Sequence, residues 1–251
     1  MRSNITYRPE LDGLRGIAVI SVVLYHFEKI LLNSNFFTGG FIGVDIFFVI
    51  SGYLISNLIF VELKKTNNFS FKNFYIRRVK RILPVLIFII FFFGVLLNSI
   101  LIPEKLSFYF KSAISSLLFI SNLFFWKTST VYGAEESINI SLLHTWSLSI
   151  EEQFYIVFPF VIYISYKFFK NILIYIITLS LITSFLLANF ASMYYPSFNF
   201  YSLPTRIWEI LFGTVIAYYE TFKNLNLIKV KNIKFLQVFV FLSIILFIFF
   251  G

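Results

Sequence analysis

Residues 11–27, LDGLRGIAVISVVLYHF, decide the fold of this chain. The stretch is apolar enough to form the first membrane helix, yet it carries Arg15 near its start and His26 close to its end. Eleven residues separate the two, which is about 16 Å along a helix, whereas the hydrocarbon core of a bilayer is about 30 Å thick. Ionisable groups at such depths are costly and mark a functional site by default.

The composition places the whole chain in a membrane. Of its 251 residues, 59% are hydrophobic and 13% are charged, and apolar runs of about twenty residues recur along its length. Cysteine is absent, which excludes disulfides, thiolate nucleophiles and cysteine metal sites, and no secretory signal peptide is visible. We attribute the net charge of +9 to membrane topology and to an anionic ligand rather than to nucleic acid.

Seven full spans are predicted, with residues 106–125 forming one interfacial or re-entrant helix. If that segment does not span and the N-terminus is cytoplasmic, fifteen Lys and Arg residues lie inside and three outside. If it spans, the split becomes ten to seven, so the positive-inside rule favours the first arrangement. The predicted spans are 14–32, 41–61, 83–102, 148–166, 172–190, 203–219 and 234–251, and residues 62–82 form a basic loop.

This topology predicts a polar tunnel that is entered from the cytoplasm. Asp45 lies about as far from the first turn as His26 does, so antiparallel packing places the two side chains at similar depth. The other polar residues divide between the two ends. Glu151, Glu152, Arg206 and Glu209 lie towards the outer boundary, whereas Arg15 and the arginines of residues 77–81 lie at the cytoplasmic side.

His26 is the candidate general base, because the pKa of a free imidazole lies near neutrality. Asp45 is the candidate that orients it, as a carboxylate does in hydrolytic triads. The alternatives are a histidine that only joins two helices by a hydrogen bond, and an aspartate that forms a salt bridge or caps the second span. His144, in a loop before Trp146, is more typical of an interfacial residue than of a catalyst.

Three arginines, Arg77, Arg78 and Arg81, follow helical spacing, so two or three of them can face one ligand. Guanidinium groups suit phosphates, although basic residues beside a membrane also simply set topology. Arg206 is a candidate donor to an oxyanion. Its alternative is a structural ion pair with Glu209.

Five blocks of the chain resemble the membrane acyltransferase-3 family of bacterial carbohydrate O-acyltransferases. They occur in the family's order between residues 7 and 213, and their joint occurrence is far more specific than any one of them. The blocks are YRPELDGLRGIAVISVVLYHF (7–27), GGFIGVDIFFVISGYLI (39–55), FYIRRVKRILP (74–84), HTWSLSIEEQFY (144–155) and PTRIWEILFG (204–213).

The resemblance implies that an acetyl or other short acyl group moves from cytoplasmic acyl-CoA to a hydroxyl of an envelope or exported carbohydrate, such as a polysaccharide or lipopolysaccharide. It implies that Arg15 and His26 are essential for catalysis and that Arg78 and Arg81 bind the donor, and it places Glu152 in a recurrent block. With no metal cluster or glycine-rich phosphate loop in the sequence, acetyl-CoA is the only cosubstrate expected, and no bound cofactor is predicted.

We therefore expect an all-α polytopic protein of the bacterial inner membrane, multi-pass and with a cytoplasmic N-terminus. Family members usually have about ten spans, so residues 1–251 are expected to be a membrane acyltransferase domain that is incomplete at its C-terminus. No extracytoplasmic SGNH-type domain is expected. Two other functions fit the same residues: a transporter or flippase with an Arg, His, Asp and Glu relay, and an inactive truncated acyltransferase.

Overall fold

The computed structural model describes residues 8–28, 36–130, 140–223, 242–244 and 246–248. Regular structure in these ranges is helical, with no β-strand, which confirms the predicted all-α class. The helices are α1 (Pro9–Phe27), α2 (Ile42–Thr66), α3 (Phe71–Asn98), α4 (Pro103–Leu117), α5 (Ser121–Ser129), α6 (Thr145–Phe168), α7 (Leu173–Tyr194), α8 (Pro196–Tyr201) and α9 (Leu203–Lys223).

Four helical segments among the described residues are long and apolar enough to cross a membrane. They are α2, α3, α6 and the segment Lys170–Tyr194, which contains α7. Helix α1 contains three charged residues and α9 contains four, and neither belongs to this set. The last predicted span, 234–251, lies mostly outside the described residues, so the count of seven spans is not confirmed.

By its internal packing the chain divides into two compact units. Unit 1 comprises Met1–Asn67, Ile174–Leu181 and Trp208–Gly251, and unit 2 comprises Asn68–Leu173 and Ile182–Ile207. Unit 1 therefore holds α1, α2 and most of α9, whereas unit 2 holds α3 to α6 and α8.

Unit 1 is built around α2, which packs against α1 and against α9 through glycines. A Cβ atom at Gly43 would lie 2.3 Å from the carbonyl oxygen of Ala18, and one at Gly52 would lie 1.9 Å from that of Ile210. Neither site has room for a methyl group, so the helix backbones are in direct contact. Small residues bring helices together in this way inside membranes.

The basic residues after α2 lie on a helix, and the predicted loop 62–82 is wrong. Asn67 closes α2 with a left-handed φ of 54°, a conformation common at helix C-termini. Helix α3 begins only four residues later, at Phe71, and continues to Asn98. The prediction of a loop rested on the many charged residues of this segment. The helical spacing of Arg77, Arg78 and Arg81 was the better indication of its structure.

Helices α3 and α6 run antiparallel in unit 2. The rings of Phe71 and Phe160 stack with centroids 4.5 Å apart, and the Tyr75 hydroxyl donates to the Ile156 carbonyl at 2.9 Å. The beginning of α3 therefore lies beside the second half of α6, and the basic turns of α3 lie near its middle.

Two short helices, α4 and α5, occupy the segment that was predicted not to span. At 15 and nine residues, they reach about 22 Å and 14 Å, less than the roughly 30 Å of the hydrocarbon core. The rings of Phe108 and Phe124 lie 5.3 Å apart, so α5 folds back on α4. The segment is therefore a hairpin of two helices rather than the single interfacial or re-entrant helix predicted. Phe119 at its turn has a left-handed φ of 54°.

Candidate functional site

His26 lies in the last turn of α1, in unit 1, with a defined ring orientation. Its Nδ1 atom is 2.9 Å from the backbone carbonyl oxygen of Val22. A carbonyl only accepts hydrogen bonds, so the proton is on Nδ1, and the neutral ring carries its lone pair on Nε2. The Tyr25 ring meets the imidazole edge-on, with centroids 5.2 Å apart. In this tautomer Nε2 is the basic nitrogen of the ring.

Glu28 was not predicted from the sequence, but it fixes the chain immediately after His26. Its side chain is only 3% exposed. It accepts hydrogen bonds from the backbone N–H groups of Phe36 and Phe37, the latter at 2.6 Å. Through these two bonds, the Glu28 carboxylate holds the backbone that leads into α2. The sequence signal was a carboxylate two residues beyond an intramembrane histidine.

Arg15 faces α2 from the first half of α1. Its guanidinium lies 5.8 Å from the centroid of the Phe47 ring and 3.9 Å from the Asp12 carboxylate. The Nε atom is buried and has no hydrogen-bond partner among the described residues. A buried donor without a partner is costly, so this atom is suited to a ligand oxygen.

Asp45 does not lie at the depth of His26, although their similar distances from the turn predicted that it would. The register of the two helices is given by Gly43 against Ala18 and by Phe47 against Arg15. Asp45 therefore lies level with residues 15–18, eight or more residues before the histidine, or about 12 Å along the axis. The expectation was wrong because the turn does not separate the two helices symmetrically.

A polar cluster joins the start of α1 to α2 and α9. Arg8 forms an ion pair with Glu220, and the Tyr53 hydroxyl donates to the same carboxylate at 2.5 Å. Burial lowers the pKa of Arg8, but the hydrogen bond to Glu220 and the attraction of nearby negative charge together raise that pKa above its ordinary value. The cluster fixes α1, and with it Arg15 and His26. Nothing in the sequence connects residues 212 positions apart.

Arg78 and Glu152 lie at one level in unit 2, rather than at opposite ends of a tunnel. The Arg78 guanidinium lies 5.1 Å from the centroid of the Tyr155 ring, one helical turn from Glu152. The Glu152 carboxylate attracts the guanidinium groups of Arg78 and Arg81. The predicted separation of Arg78 from Glu152 is wrong. Helix α3 begins at Phe71, so its basic turns lie beside the middle of α6.

Glu152 is a buried carboxylate that faces two cations. Its side chain is 8% exposed, and Oε1 has no hydrogen-bond partner in the part of the chain that the structure describes. Its neighbour Glu151 is buried as well. A carboxylate oxygen held in this way can accept a proton or a ligand's hydrogen bond.

Arg81 borders an open, mostly apolar groove of about 410 Å³, which His144 borders from the beginning of α6. The arginines thus divide by position: Arg78 lies between α3 and α6, Arg81 faces the groove, and Arg77 is exposed. His144, predicted to be an interfacial residue, lines this groove.

A buried network that was not predicted holds the α4–α5 hairpin against α6. The Gln153 amide donates to the Phe119 carbonyl and to the Asn122 side chain, both at 2.8 Å. Asn122 in turn donates to the Tyr201 carbonyl at 3.0 Å. Gln153 thus fixes the left-handed turn of the hairpin beside Glu152. Its sequence signal was the set of serines and Asn122 that interrupts the apolar segment 106–125.

Arg206 and Glu209 lie in different units. The Arg206 guanidinium packs on aromatic rings in unit 2, 5.4 Å from the centroid of Phe200 and 5.9 Å from that of Trp146. Glu209 is 1% exposed and lies inside α9 in unit 1. Arg15, His26 and Asp45 are also in unit 1, whereas Arg77, Arg78, Arg81 and Glu152 are in unit 2.

The Arg78 side chain is expected to stabilise unit 2 through Glu152. Arg78→Ala should lower the free energy of unfolding by about 1–2 kcal/mol, because it removes the cation–π contact with Tyr155 and the attraction to Glu152. Arg77→Ala, which removes an exposed arginine one residue earlier, should change it by less than about 0.5 kcal/mol. Thermal unfolding in detergent compares the two.

The double variant Arg78→Met with Glu152→Gln provides the control, because it removes both charges together. It should recover much of the stability that Arg78→Ala loses. Equal unfolding temperatures for Arg78→Ala and Arg77→Ala would show that Arg78 and Glu152 are not coupled.

Comparison with known proteins places the chain in a family. The family model described as acyltransferase domain matches residues 8–251. The chain is 35% identical over 239 residues to the peptidoglycan O-acetyltransferase OatA of Listeria monocytogenes, covering 91% of this chain and 36% of that protein. It is 37% identical over 223 residues to the O-acetyltransferase OatA of Staphylococcus aureus, covering 84% and 34%.

These relatives are longer proteins, and the chain spans about a third of their length. No solved structure gives a match. The family match nevertheless covers Arg15, His26, the arginines of α3 and Glu152, all of which the structure describes. The chain belongs to the membrane acyltransferase-3 family.

Proposed function

We propose that this chain is the membrane domain of an O-acetyltransferase, which moves an acetyl or other short acyl group from acyl-CoA to a carbohydrate hydroxyl. The observation that carries the proposal is His26, an imidazole with its proton on Nδ1 and its lone pair on Nε2. A general base needs this arrangement. The names of the relatives mention peptidoglycan, which favours a cell-wall glycan over lipopolysaccharide as the acceptor.

In the proposed reaction, Nε2 of His26 takes the proton of the acceptor hydroxyl as the oxygen attacks the thioester carbonyl carbon. The carbon–sulfur bond then breaks, and the imidazolium returns the proton to the departing CoA thiolate. The products are an acetyl ester and free CoA. A transient acyl-histidine, in which Nε2 itself attacks the thioester, is the alternative route.

The other site residues have proposed roles that follow their positions. Arg77, Arg78 and Arg81 supply positive charge for the phosphates of the donor. Glu152 positions the guanidinium groups of Arg78 and Arg81. Arg15 offers its buried Nε to a substrate oxygen. Arg206, fixed between aromatic rings, is assigned to the acceptor or the oxyanion, and Glu209 supports α9.

Asp45→Asn should lower acetyl transfer without removing the protein from the membrane. Asp45 lies level with Arg15, so we propose that its carboxylate acts on this guanidinium rather than on His26. We expect a decrease of roughly ten- to a hundredfold, well below the roughly 10⁴ of a residue that orients a catalytic histidine. Transfer assays on membranes with equal amounts of each protein measure it. Wild-type transfer by the variant would leave Asp45 a structural role.

The fifteen-to-three division of basic residues predicts a cytoplasmic N-terminus in the bacterial cytoplasmic membrane. A reporter fused after Trp126 should therefore lie outside the cytoplasm, and one fused after Lys170 should lie in the cytoplasm. The same reporter after Thr66 provides a cytoplasmic reference. Reversed locations for the first two fusions would mean that residues 106–125 span the membrane fully.

Membrane vesicles with labelled acetyl-CoA separate a transferase from a transporter. A transferase deposits label on carbohydrate, whereas a transporter accumulates labelled acetyl-CoA or acetate in the lumen. We expect label on carbohydrate from vesicles that contain the chain and none from vesicles that lack it. Luminal label without labelled carbohydrate would contradict the proposed function.

A further inference from the structure

A second cavity in unit 2 lies along one face of α4. Four of the residues that line it follow the i, i+3, i+4 and i+7 spacing of a single helix face, and they are Lys105, Phe108, Tyr109 and Ser112. The other lining residues are Leu101, Ile140 and Ser141. A cation, two aromatic rings and hydroxyl groups therefore surround the same space.

Helix α3 holds the aromatic wall of this cavity in place. The Tyr109 hydroxyl donates to the Ile90 carbonyl at 2.6 Å, and a Cβ atom at Gly94 would lie 3.5 Å from the Tyr109 ring. The Ser112 hydroxyl donates to the Tyr109 carbonyl at 2.7 Å, which uses its proton and leaves its oxygen as an acceptor. Both side chains are buried, so this wall is formed before any ligand binds.

The hydroxyl groups that lie deeper than the cavity bond to one another. The hydroxyl oxygens of Ser116 and Thr145 are 2.7 Å apart, and Thr145 also donates to Ser121 at 3.0 Å. Ser121 and Ser149 continue the chain at 2.7 Å. These deeper groups have protein partners, so the cavity is where the polar face of α4 opens to a ligand.

The volume of the cavity, about 150 Å³, indicates what can enter it. Apolar cavities of about this volume hold one benzene ring, whereas sites for drug-sized ligands occupy about 300–1,000 Å³. A whole acyl-CoA is therefore too large, and one six-membered ring fits. A lipid chain would bury Lys105, Ser112 and Ser141 against hydrocarbon, which is costly, so the ring must be polar.

We infer that this cavity binds one sugar ring of the acceptor glycan. The apolar face of the ring lies against Leu101 and Phe108, and its hydroxyl groups bond to Ser112 and Ser141. Lys105 donates to a sugar oxygen through its ammonium group. The inference rests on the proposed function, whose topology places Lys105 outside the cytoplasm, and it gives the acceptor a site on α4.

Cysteine labelling tests this site, because the chain contains no cysteine. Leu101→Cys places a thiol in the cavity wall, and Ile102→Cys places one at the next residue, which does not line the cavity. Ser141 is unsuitable because it also borders the groove at Arg81. Each variant is labelled with a small maleimide in lipid nanodiscs, since maltoside detergents carry sugar head groups of their own.

The probe is the cell-wall disaccharide of N-acetylglucosamine and N-acetylmuramic acid. At ten times its dissociation constant it should slow labelling of Leu101→Cys about tenfold and leave Ile102→Cys unchanged. Acetyl-CoA should protect neither thiol.

Lys105→Met in the Leu101→Cys background should raise the disaccharide concentration needed for protection by about ten- to a hundredfold, the worth of a hydrogen bond from a charged donor. Lys127→Met removes a lysine that does not line the cavity and should change that concentration less than about twofold. An unchanged labelling rate without disaccharide shows that each lysine variant keeps the cavity intact.

Calorimetric titration of the disaccharide separates two kinds of failure. If the disaccharide binds but Leu101→Cys labels at its normal rate, or if Lys105→Met and Lys127→Met behave alike, the sugar lies elsewhere and the inference is overturned. Protection by acetyl-CoA would assign the cavity to the donor and overturn it as well. If the disaccharide does not bind, the inference also fails, and the vesicle assay then shows whether a carbohydrate is the acceptor at all.

Discussion

His26→Ala is expected to lower turnover of acetyl transfer by about 10²- to 10⁴-fold, the contribution usual for a positioned general base. Affinity for acetyl-CoA should change less than about threefold, because the bases proposed to hold the donor phosphates are on α3 and the substitution leaves them intact. Calorimetry gives the affinity, and initial rates at saturating donor give the turnover.

The hydrogen bond of His26 explains why the substitution should lower turnover without changing the affinity for acetyl-CoA. Nδ1 is bonded to the Val22 carbonyl within the same helix, so the imidazole is held by its own backbone. Its removal costs α1 no contact to another helix through Nδ1. The variant should therefore keep α1 folded and lose the lone pair on Nε2.

Tyr25→Phe provides the matched control, since it changes the adjacent aromatic residue and keeps its ring beside the imidazole. We expect at least about half of wild-type turnover from it, as for substitutions that remove no catalytic group. If His26→Ala instead abolished acetyl-CoA binding, His26 would belong to the donor site. Full turnover by that variant would remove it from the mechanism.

Gly52→Ala is expected to destabilise the protein by about 3 kcal/mol or more, at the upper end of the cost of forcing atoms into a packed interior. A Cβ atom there would lie 1.9 Å from a backbone oxygen, the carbonyl of Ile210. A backbone oxygen cannot rotate away as a side chain does, so α2 and α9 must separate. The Tyr53–Glu220 bond that joins the same two helices would weaken with them.

Gly16→Ala is the matched control and should have the opposite sign. This glycine is inside α1, and a Cβ atom added to it meets nothing within 4 Å. Alanine is the better helix former, by about 0.5–1 kcal/mol. Thermal unfolding should therefore show a lower melting temperature for Gly52→Ala and an equal or higher one for Gly16→Ala.

Similar melting temperatures for the two alanine variants would contradict the direct backbone contact between α2 and α9. Transfer activity provides a second readout. Gly52→Ala should lose activity in proportion to its unfolded fraction, whereas Gly16→Ala should retain it.

Local pattern was enough to predict helices and the residue types of the site. The apolar run of α1 with Arg15 and His26 inside it, and the helical spacing of Arg77, Arg78 and Arg81, were readable from sequence. Family resemblance added the expected roles of these residues. Each of these features depends on residues that lie close together along the chain.

Register and pairing between helices could not be predicted in the same way. Gly43 against Ala18 sets the offset of α1 and α2, and this offset moved Asp45 away from the level of His26. The start of α3 at Phe71 brought Arg78 level with Glu152. Both outcomes depend on packing between surfaces, which the length of a turn does not determine.

Hydrogen-bond partners far apart in sequence were also beyond prediction. Gln153 fixes the hairpin turn at Phe119, and Glu220 holds both Arg8 and Tyr53. Polar residues in an apolar segment indicate that partners exist, because unpaired polar groups are costly there. They do not indicate which partners these are.

Transfer of label to a carbohydrate hydroxyl by the purified chain in lipid nanodiscs tests the central claim most directly. The assay supplies acetyl-labelled CoA and a cell-wall oligosaccharide, and it measures label that mild alkali releases from the sugar, since esters are cleaved under conditions that leave amides intact. We expect alkali-labile label with the wild-type chain and a rate at least about a hundredfold lower with His26→Ala. Equal labelling by both proteins, or label that never leaves CoA although the wild-type chain binds it, would contradict acyl transfer through His26.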